Sequence, residues 1–321
     1  MPGRRIGDGH PPIGEVVRSY VLRRTALMIL VIFGVVSVSF FVLRFASGDP
    51  ARLLNPPGTP ESTLQITRER LGTDKPILEQ YVNYLAALTR ADLGTAFRGG
   101  RAVLPSLLEA LPNTILLGVV TMIVGSTIGL LLGVAAALRP NGPLDRAVLL
   151  LATIGQSTPN FWLAVILVLV FAIKLRLLPA IDMRGPQSFV LPVATLAITL
   201  SPLIIRAVRQ AFIETLGEDF VRAARARGIP EQRVLFVHVL KVAAIPLITL
   251  IGLQTGFVLG GAYVIESIFN WPGVGNLTLQ SIQGRDFPMI QGAVLVTATI
   301  IVLVNFTVDI VYAVLDPRIR Y

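Results

Sequence analysis

Six long stretches without a charged side chain divide the chain: Thr25–Leu43, Ala110–Leu138, Ala147–Ile173, Gly185–Ile205, Val242–Ile265 and Phe287–Val308. A helix needs about 20 apolar residues to cross the hydrocarbon core of a bilayer, so each stretch predicts a membrane-crossing helix. The first is the shortest, but Arg23, Arg24 and Arg44 bracket it, and their aliphatic stems can reach to the interface. The expected fold is therefore all-α, with six transmembrane helices and both termini on one side. A 1–24 N-terminal segment precedes a 25–321 transmembrane domain. The first span also resembles a cleaved signal peptide, with basic residues before it and Ala46-Ser47-Gly48 after it. Its apolar run is longer than a signal peptide needs, and Arg44 stands before any cleavage site, so an uncleaved anchor is expected.

Two polar segments interrupt the pattern. The first, 46–109, begins irregularly at Pro56-Pro57-Gly58 and Pro60. Pro76 then starts a predicted helix whose apolar face is Ile77, Tyr81, Tyr84, Leu85 and Leu88. A short amphipathic piece, Val103–Leu111, is expected to lie in the interface before the second span. About 64 residues broken by prolines bury little core, so scaffold helices on the membrane are expected here rather than a ligand-binding domain. The second polar segment, 206–241, is the longest loop on the other side.

Positive charge in short loops sets orientation. With the N-terminus inside, sixteen Lys and Arg residues fall on the cytoplasmic side, and only Lys174, Arg176, Arg184 and Arg285 fall in short outer loops. The expected arrangement is N-in and C-in, with 46–109 outside and 206–241 in the cytoplasm. Composition agrees with the membrane assignment. The chain is 53% hydrophobic and 15% charged, against about 25% charged in soluble domains. The net charge of +9 then belongs with the bilayer rather than with nucleic acid. The absence of cysteine excludes a disulfide scaffold and a thiolate site, and two histidines make a polyhistidine metal site improbable.

Within the spans, Gly125, Gly129 and Gly133 form one ladder, with Gly118 on the same face, and Gly252, Gly256 and Gly260 form another. Four-residue spacing stacks them on one helix face and lets a second backbone approach. Pro159, Pro192, Pro202 and Pro246 predict kinks in the third, fourth and fifth spans. Glu266, Arg206, Lys174 and Asp309 stand at span ends, where interfacial anchoring explains them. Membrane-embedded carboxylates or histidines, which a proton relay uses, are nearly absent. Ser157, Gln254, Gly256, Gly260 and Trp271 are candidates for the transport path or its gate. Each has an ordinary alternative: helix packing for the glycines and Ser157, an interhelical hydrogen bond for Gln254, and a belt residue with a Pro-Gly turn for Trp271.

The loop sequence from Gly217 to Pro246 carries the sharpest signal. Glu218 and Asp219 suit a helix start, Gly228 a C-terminal cap, and Pro230 the first position of a new helix. A short helix, about Asp219–Arg227, is predicted, with an apolar patch of Phe220, Ala223 and Ala224 and with Arg222, Arg225 and Arg227 around it. Small side chains let a partner approach, and the arginines supply charge pairing at the rim. A plain basic loop obeying the positive-inside rule accounts for the same residues.

That stretch resembles the EAA loop of binding-protein-dependent ABC importer permeases, in which two small residues precede a glycine at fixed spacing. Here these are Ala223, Ala224 and, after three residues, Gly228. Arg222 replaces the glutamate of the motif, but the run from Asp219 to Gly228 is similar to the variant of dipeptide and oligopeptide permeases. The resemblance extends along nearly the whole chain. It includes Gly48-Asp49-Pro50, Asp92-Leu93-Gly94, Leu111-Pro112-Asn113-Thr114, Ser157 with Pro159, Trp271-Pro272-Gly273-Val274-Gly275 and Leu315-Asp316-Pro317-Arg318. The long first outer segment is similar to that of the first of two permease subunits.

The resemblance implies a type I ABC importer permease in a bacterial cytoplasmic membrane. It would pair with a second permease across a pseudo-two-fold axis, with two ABC ATPase subunits inside and an extracytoplasmic solute-binding protein delivering peptide. Asp219, Phe220, Arg222, Ala223, Ala224, Arg227 and Gly228 would couple to an ATPase. This chain would bind no cofactor of its own, ATP and Mg belonging to the partners. The residues agree, since no lysine follows a glycine and a phosphate loop needs Gly-Lys-Ser/Thr. An ion-driven secondary transporter and an integral membrane enzyme are the rival classes. The scarcity of embedded charge opposes the first, and the lack of an acid/base cluster at useful spacing opposes the second.

Overall fold

The computed structural model describes residues 13–46, 48–180 and 185–315, all of it helix, turn and loop apart from one isolated bridge between Thr95 and Ala102. Apolar runs that cannot satisfy backbone groups with water satisfy them along the helix axis, and the long elements follow the hydropathy pattern. They are α1 (Ile13–Ala46), α5 (Val103–Ala137), α8 (Val190–Leu216), α11 (Leu240–Ile268) and α13 (Phe287–Leu315). Among the described residues, four stretches have the length and composition to cross a membrane: Leu22–Phe45, Val103–Ala137, Pro186–Leu216 and Phe287–Val308. α6 (Pro143–Ser157) and α7 (Asn160–Leu167), bent by 102° at Ser157–Asn160, make a fifth if the pair is one broken span. The predicted third span is thus two helices, because Pro159 cannot continue the ladder. α7 runs on as a π-helix, Val168–Lys174. α11 spans 29 residues, with part of its side-chain set, Pro246 included, outside the described residues, as are the Asp309 side chain and residues 316–321.

α8 is the hub. Two thirds (67%) of its most apolar window is buried inside the chain, against 11% for α1 and 17% for α13. α1 and α13 pack on each other at the periphery, and Ile29, Leu30 and Phe33 of α1 stay exposed. Such side chains suit lipid, which is as apolar as they are. Against α8 lies α5, whose Gly125, Gly129 and Gly133 admit Leu200, Ile204 and Val208. A Cβ added at Gly133 would lie 2.6 Å from Val208 Cβ and 2.9 Å from the Ile205 carbonyl.

The outer insertion holds α2 (Pro50–Leu54), α3 (Glu61–Leu71) and α4 (Ile77–Leu88). The predicted face of α4 is its half-buried side, and it packs on α1. Tyr84 stacks on Phe40 at 5.5 Å, and the Tyr81 hydroxyl is hydrogen-bonded to Ser37. Burial pushes the Tyr84 phenol up to about 12. Asp49 caps α2 by accepting from Ala51 N at 3.0 Å and takes both Nε and Nη2 of Arg68 at 3.0 and 2.7 Å. That guanidinium holds the Asp49 carboxyl below its usual range. The segment Val103–Leu111 does not lie in an interface, as its composition suggested. It is the first part of α5, continuous through Pro112, and Val103 and Leu107 are fully buried against Val274, Met289 and Ala293.

Candidate functional site

After α8 the chain reverses into α9 (Asp219–Ala226), α10 (Glu231–Arg233), a π-helical turn Val234–Val239, and α11. α9 ends one residue earlier than predicted and stops for the predicted reason. Gly228 is left-handed, with φ +73°, and its N–H donates to Arg225 O at 2.9 Å while Ile229 N donates to Ala224 O. These bonds satisfy carbonyls that a helix end otherwise leaves bare. Pro230 then stands just before α10 as its N-cap, one position ahead of the predicted first helical place.

The face of α9 is turned differently from the predicted patch. Val221 is fully buried and Ala224 nearly so, in a core with Ile204, Val208, Phe212, Val234 and Val239. Ala224 therefore anchors the helix instead of presenting it, and Val221 is the anchor that the small-residue pattern missed. The outward face carries Asp219, Phe220, Arg222, Ala223 and Arg227. Phe220 is 41% exposed, an aromatic ring offered beside a single methyl group. Arg222 approaches Asp219 at 3.6 Å and donates to Gly217 O at 3.1 Å. Arg225 spans the turn to Glu231 through two bonds, at 2.6 and 3.1 Å, and keeps the Glu231 carboxyl below its usual range. The turn geometry is thus braced from outside by a charge pair and from inside by Val221.

The path candidates divide. Among the described residues, Gly256 has Ile301 Cγ2, at 3.5 Å, and Asn305 Oδ1, at 3.9 Å, near a hypothetical Cβ, and Gly260 has nothing within 4 Å. Gln254 is half-buried two residues before Gly256 on the same helix. Ser157 is exposed and ends α6 at the 102° bend. Trp271 is not a belt residue. Its ring is 1% exposed, meets Phe189 edge-on at 4.6 Å, and donates from Nε1 to Asn113 O at 3.0 Å.

Trp271 belongs to an outer cap that sequence reasoning did not find. Glu266, at the end of α11, is fully buried rather than interfacial. Its carboxylate accepts from Asn276 N at 3.1 Å, while Val274 N donates to Thr114 Oγ1 at 2.8 Å. Both donors open α12 (Val274–Gly284), so a carboxylate from one helix caps the positive end of another. Gly273 and Gly275 have to be glycines here. A Cβ at Gly273 would fall on the Glu266 carboxylate, and one at Gly275 would lie 2.5 Å from Tyr263 Cα. Past α12, Asp286 accepts from Phe97 N at 3.0 Å and Arg98 N at 2.9 Å, pinning the insertion to the start of α13. Between these fixtures lies a cleft of about 1040 Å³ bordered by Arg98, Arg101, Glu109, Asn113 and Gln280. The sequence signal for this cap was an acid five residues before Trp-Pro-Gly-Val-Gly, which does not by itself separate a buried cap from an interfacial charge.

Comparison with known proteins bears on this arrangement. Residues 129–321 match the family described as binding-protein-dependent transport system inner membrane component, and residues 17–118 match its N-terminal membrane component. The glutathione transport system permease protein GsiC of Escherichia coli O6:H1 is 35% identical over 303 residues, covering 94% of this chain and 99% of the relative. Its counterpart in Salmonella choleraesuis is 36% identical over the same length. Among solved structures, two inward facing forms of the MetNI methionine ABC transporter superpose with TM-scores of 0.57 and 0.55, at 19% and 22% identity. They cover 65% and 66% of this chain and 96% of theirs, a likeness of fold.

Proposed function

Because the chain belongs to the family of binding-protein-dependent transport system inner membrane components, as a multi-pass permease subunit of an ABC importer in the bacterial cytoplasmic membrane, we propose that it is the first permease of a peptide importer. It has six spans with both termini inside, pairs with a second permease, and receives peptide from a solute-binding protein. Two ATPase subunits, which hold the ATP and Mg, dock on its cytoplasmic side. The observation that carries the reading is the outward face of α9, where exposed Phe220, Ala223 and Arg227 stand opposite a buried Val221 anchor.

In this reading Asp219, Phe220, Arg222, Ala223 and Arg227 enter a cleft of one ATPase, Ala224 holds α9 to the bundle, and Gly228 fixes its exit. Ligands act only through unequal affinity for the inward- and outward-open states, so ATP must favour one seat for α9. Gln254, Gly256, Gly260 and Ser157 line the path, and Trp271 anchors the outer turn that gates it. The substrate class is di- or oligopeptide. The relatives named for glutathione transport favour a short peptide, since glutathione is itself a tripeptide.

Affinity purification from native membranes tests the assembly, with a second permease and Walker-type ATPases expected to co-purify. Gly228→Val tests the coupling helix: a β-branched residue at φ +73° is strained by about 1–2 kcal/mol. It is expected to leave the bundle inserted and ATP hydrolysis detectable while abolishing uptake. Normal uptake by Gly228→Val would refute the role of α9. Competition between labelled dipeptide and glutathione for uptake sorts the substrate.

A further inference from the structure

One buried ion pair has no part in the site described so far. Asp145, in the first turn of α6, is 1% exposed, and the Arg209 side chain on α8 is 18% exposed. Arg209 Nε donates to Asp145 Oδ1 at 2.6 Å and Nη2 to Oδ2 at 2.7 Å, and Asn141 N also donates to Oδ2 at 2.7 Å. The carboxylate thereby holds the turn after α5, the start of α6 and the inner part of α8 together. A buried pair of this kind contributes little net stability compared with apolar side chains of equal volume. What it adds is direction: a planar fork on a carboxylate fixes orientation as well as distance, whereas apolar contact is non-directional.

The neighbourhood gives that direction a use. Along the α6–α8 seam, Gln156 accepts from Arg206, and a Cβ at Gly155 would stand 3.0 Å from Ile198 O. Ala136, Val148, Ala152 and Ile205 form a separate apolar cluster beside the pair. On α8, the residue before Arg209 is Val208, seated on Gly133, and three residues after it Phe212 shares a core with Val221 and Ala224 of α9. On α6, the helix runs from Asp145 to the 102° bend at Ser157. We infer that Asp145 and Arg209 are positioning residues for energy coupling. Their pair makes α6 travel in register with α8 and α9, so that a displacement of α9 reaches the bend at Ser157. The inference rests on the assignment of α9 to the ATPase contact.

The test uses the whole complex in proteoliposomes with its binding protein and a labelled peptide. Solute moved and ATP hydrolysed are read at equal amounts of assembled complex. Asp145→Asn and Arg209→Lys are expected to keep ATP hydrolysis within about twofold while solute moved per ATP falls at least about fivefold. The chain has no cysteine, so the double variant Asp145→Cys/Arg209→Cys adds a second readout. Its ratio is expected to fall likewise and to recover when a short bifunctional thiol reagent bridges the two sulfurs. An unchanged ratio in Arg209→Lys and Asp145→Asn, including lower yield at normal ratio, overturns the inference and leaves the pair to stability alone. So does a bridged pair that stays uncoupled. Failure of the unsubstituted chain to bind any ATPase would overturn the functional assignment, and the inference with it, whereas normal ratios in variants that bind ATPase overturn the inference alone.

Discussion

The glycine ladders of α5 and α11 share one spacing and differ in what covers them. On α5, Gly125, Gly129 and Gly133 each receive a side chain of α8, and the fit tightens along the helix. The nearest atom to an added Cβ is the flexible tip of Leu200 at Gly125, but it is the stiff Cβ of Val208, with a backbone oxygen close by, at Gly133. On α11 the order is reversed. Among the described residues, Gly252 is pressed onto Val308 of α13, Gly256 is loosely met, and Gly260 is open. The first ladder is a seam sealed within the chain, and the second is sealed at one end only. Identical spacing therefore marks the capacity for close approach without saying who approaches.

The largest effect that would test this contrast is at the tight end of the sealed seam. Gly133→Val forces Val208 and the Ile205 carbonyl apart, and is expected to cost about 3 kcal/mol, read as loss of folded protein in detergent melts. Gly252→Ala meets the β-branched Val308, which has little rotamer freedom, at about 2 kcal/mol. If it were as harmless as a change at Gly260, the claim that α11 is sealed at this end would fail. Gly125→Ala meets only the end of Leu200, so about 1 kcal/mol is expected. Leu200→Ala in the same chain should cancel part of that loss in a double-mutant cycle. The smallest effect is at Gly260→Cys, under about 0.5 kcal/mol. Its thiol should react with a small maleimide and be protected by transported peptide. A Gly260→Cys thiol buried from reagent in every state would break the comparison.

Much of the fold was legible. Periodicity and charge located the long helices, the apolar face of α4, and the stop of α9 at Gly228, because each depends on neighbours in sequence. What escaped depends on distant partners. Ala224 and Phe220 look equivalent in a small apolar patch, and only the packing of Phe212 and Val234 turns one inward and leaves the other outside. Glu266 at a span end reads as an anchor until α12 presents its N–H groups. Asp145 and Arg209 lie 64 positions apart, too far for local spacing to pair them. Val103–Leu111 looked interfacial because its polar side, with Ser106 and Glu109, was weighed as though nothing covered Val103 and Leu107.

The outer cap has a consequence for biosynthesis. Its bonds join residues far apart in the order of synthesis: Asn113 to Trp271 and Pro272, Thr114 to Val274, and Phe97 and Arg98 to Asp286, separations of 158 to 189 positions. Contacts of such long range form late. While the ribosome adds the intervening helices, Thr114 and Asn113 wait without these partners, and the mouth of α5 stays uncovered until α12 emerges. A chain arrested before residue 270 would hold its sealed α5–α8 seam yet lack the lid, leaving the segment around Arg98 and Asn113 without the partners that cover it.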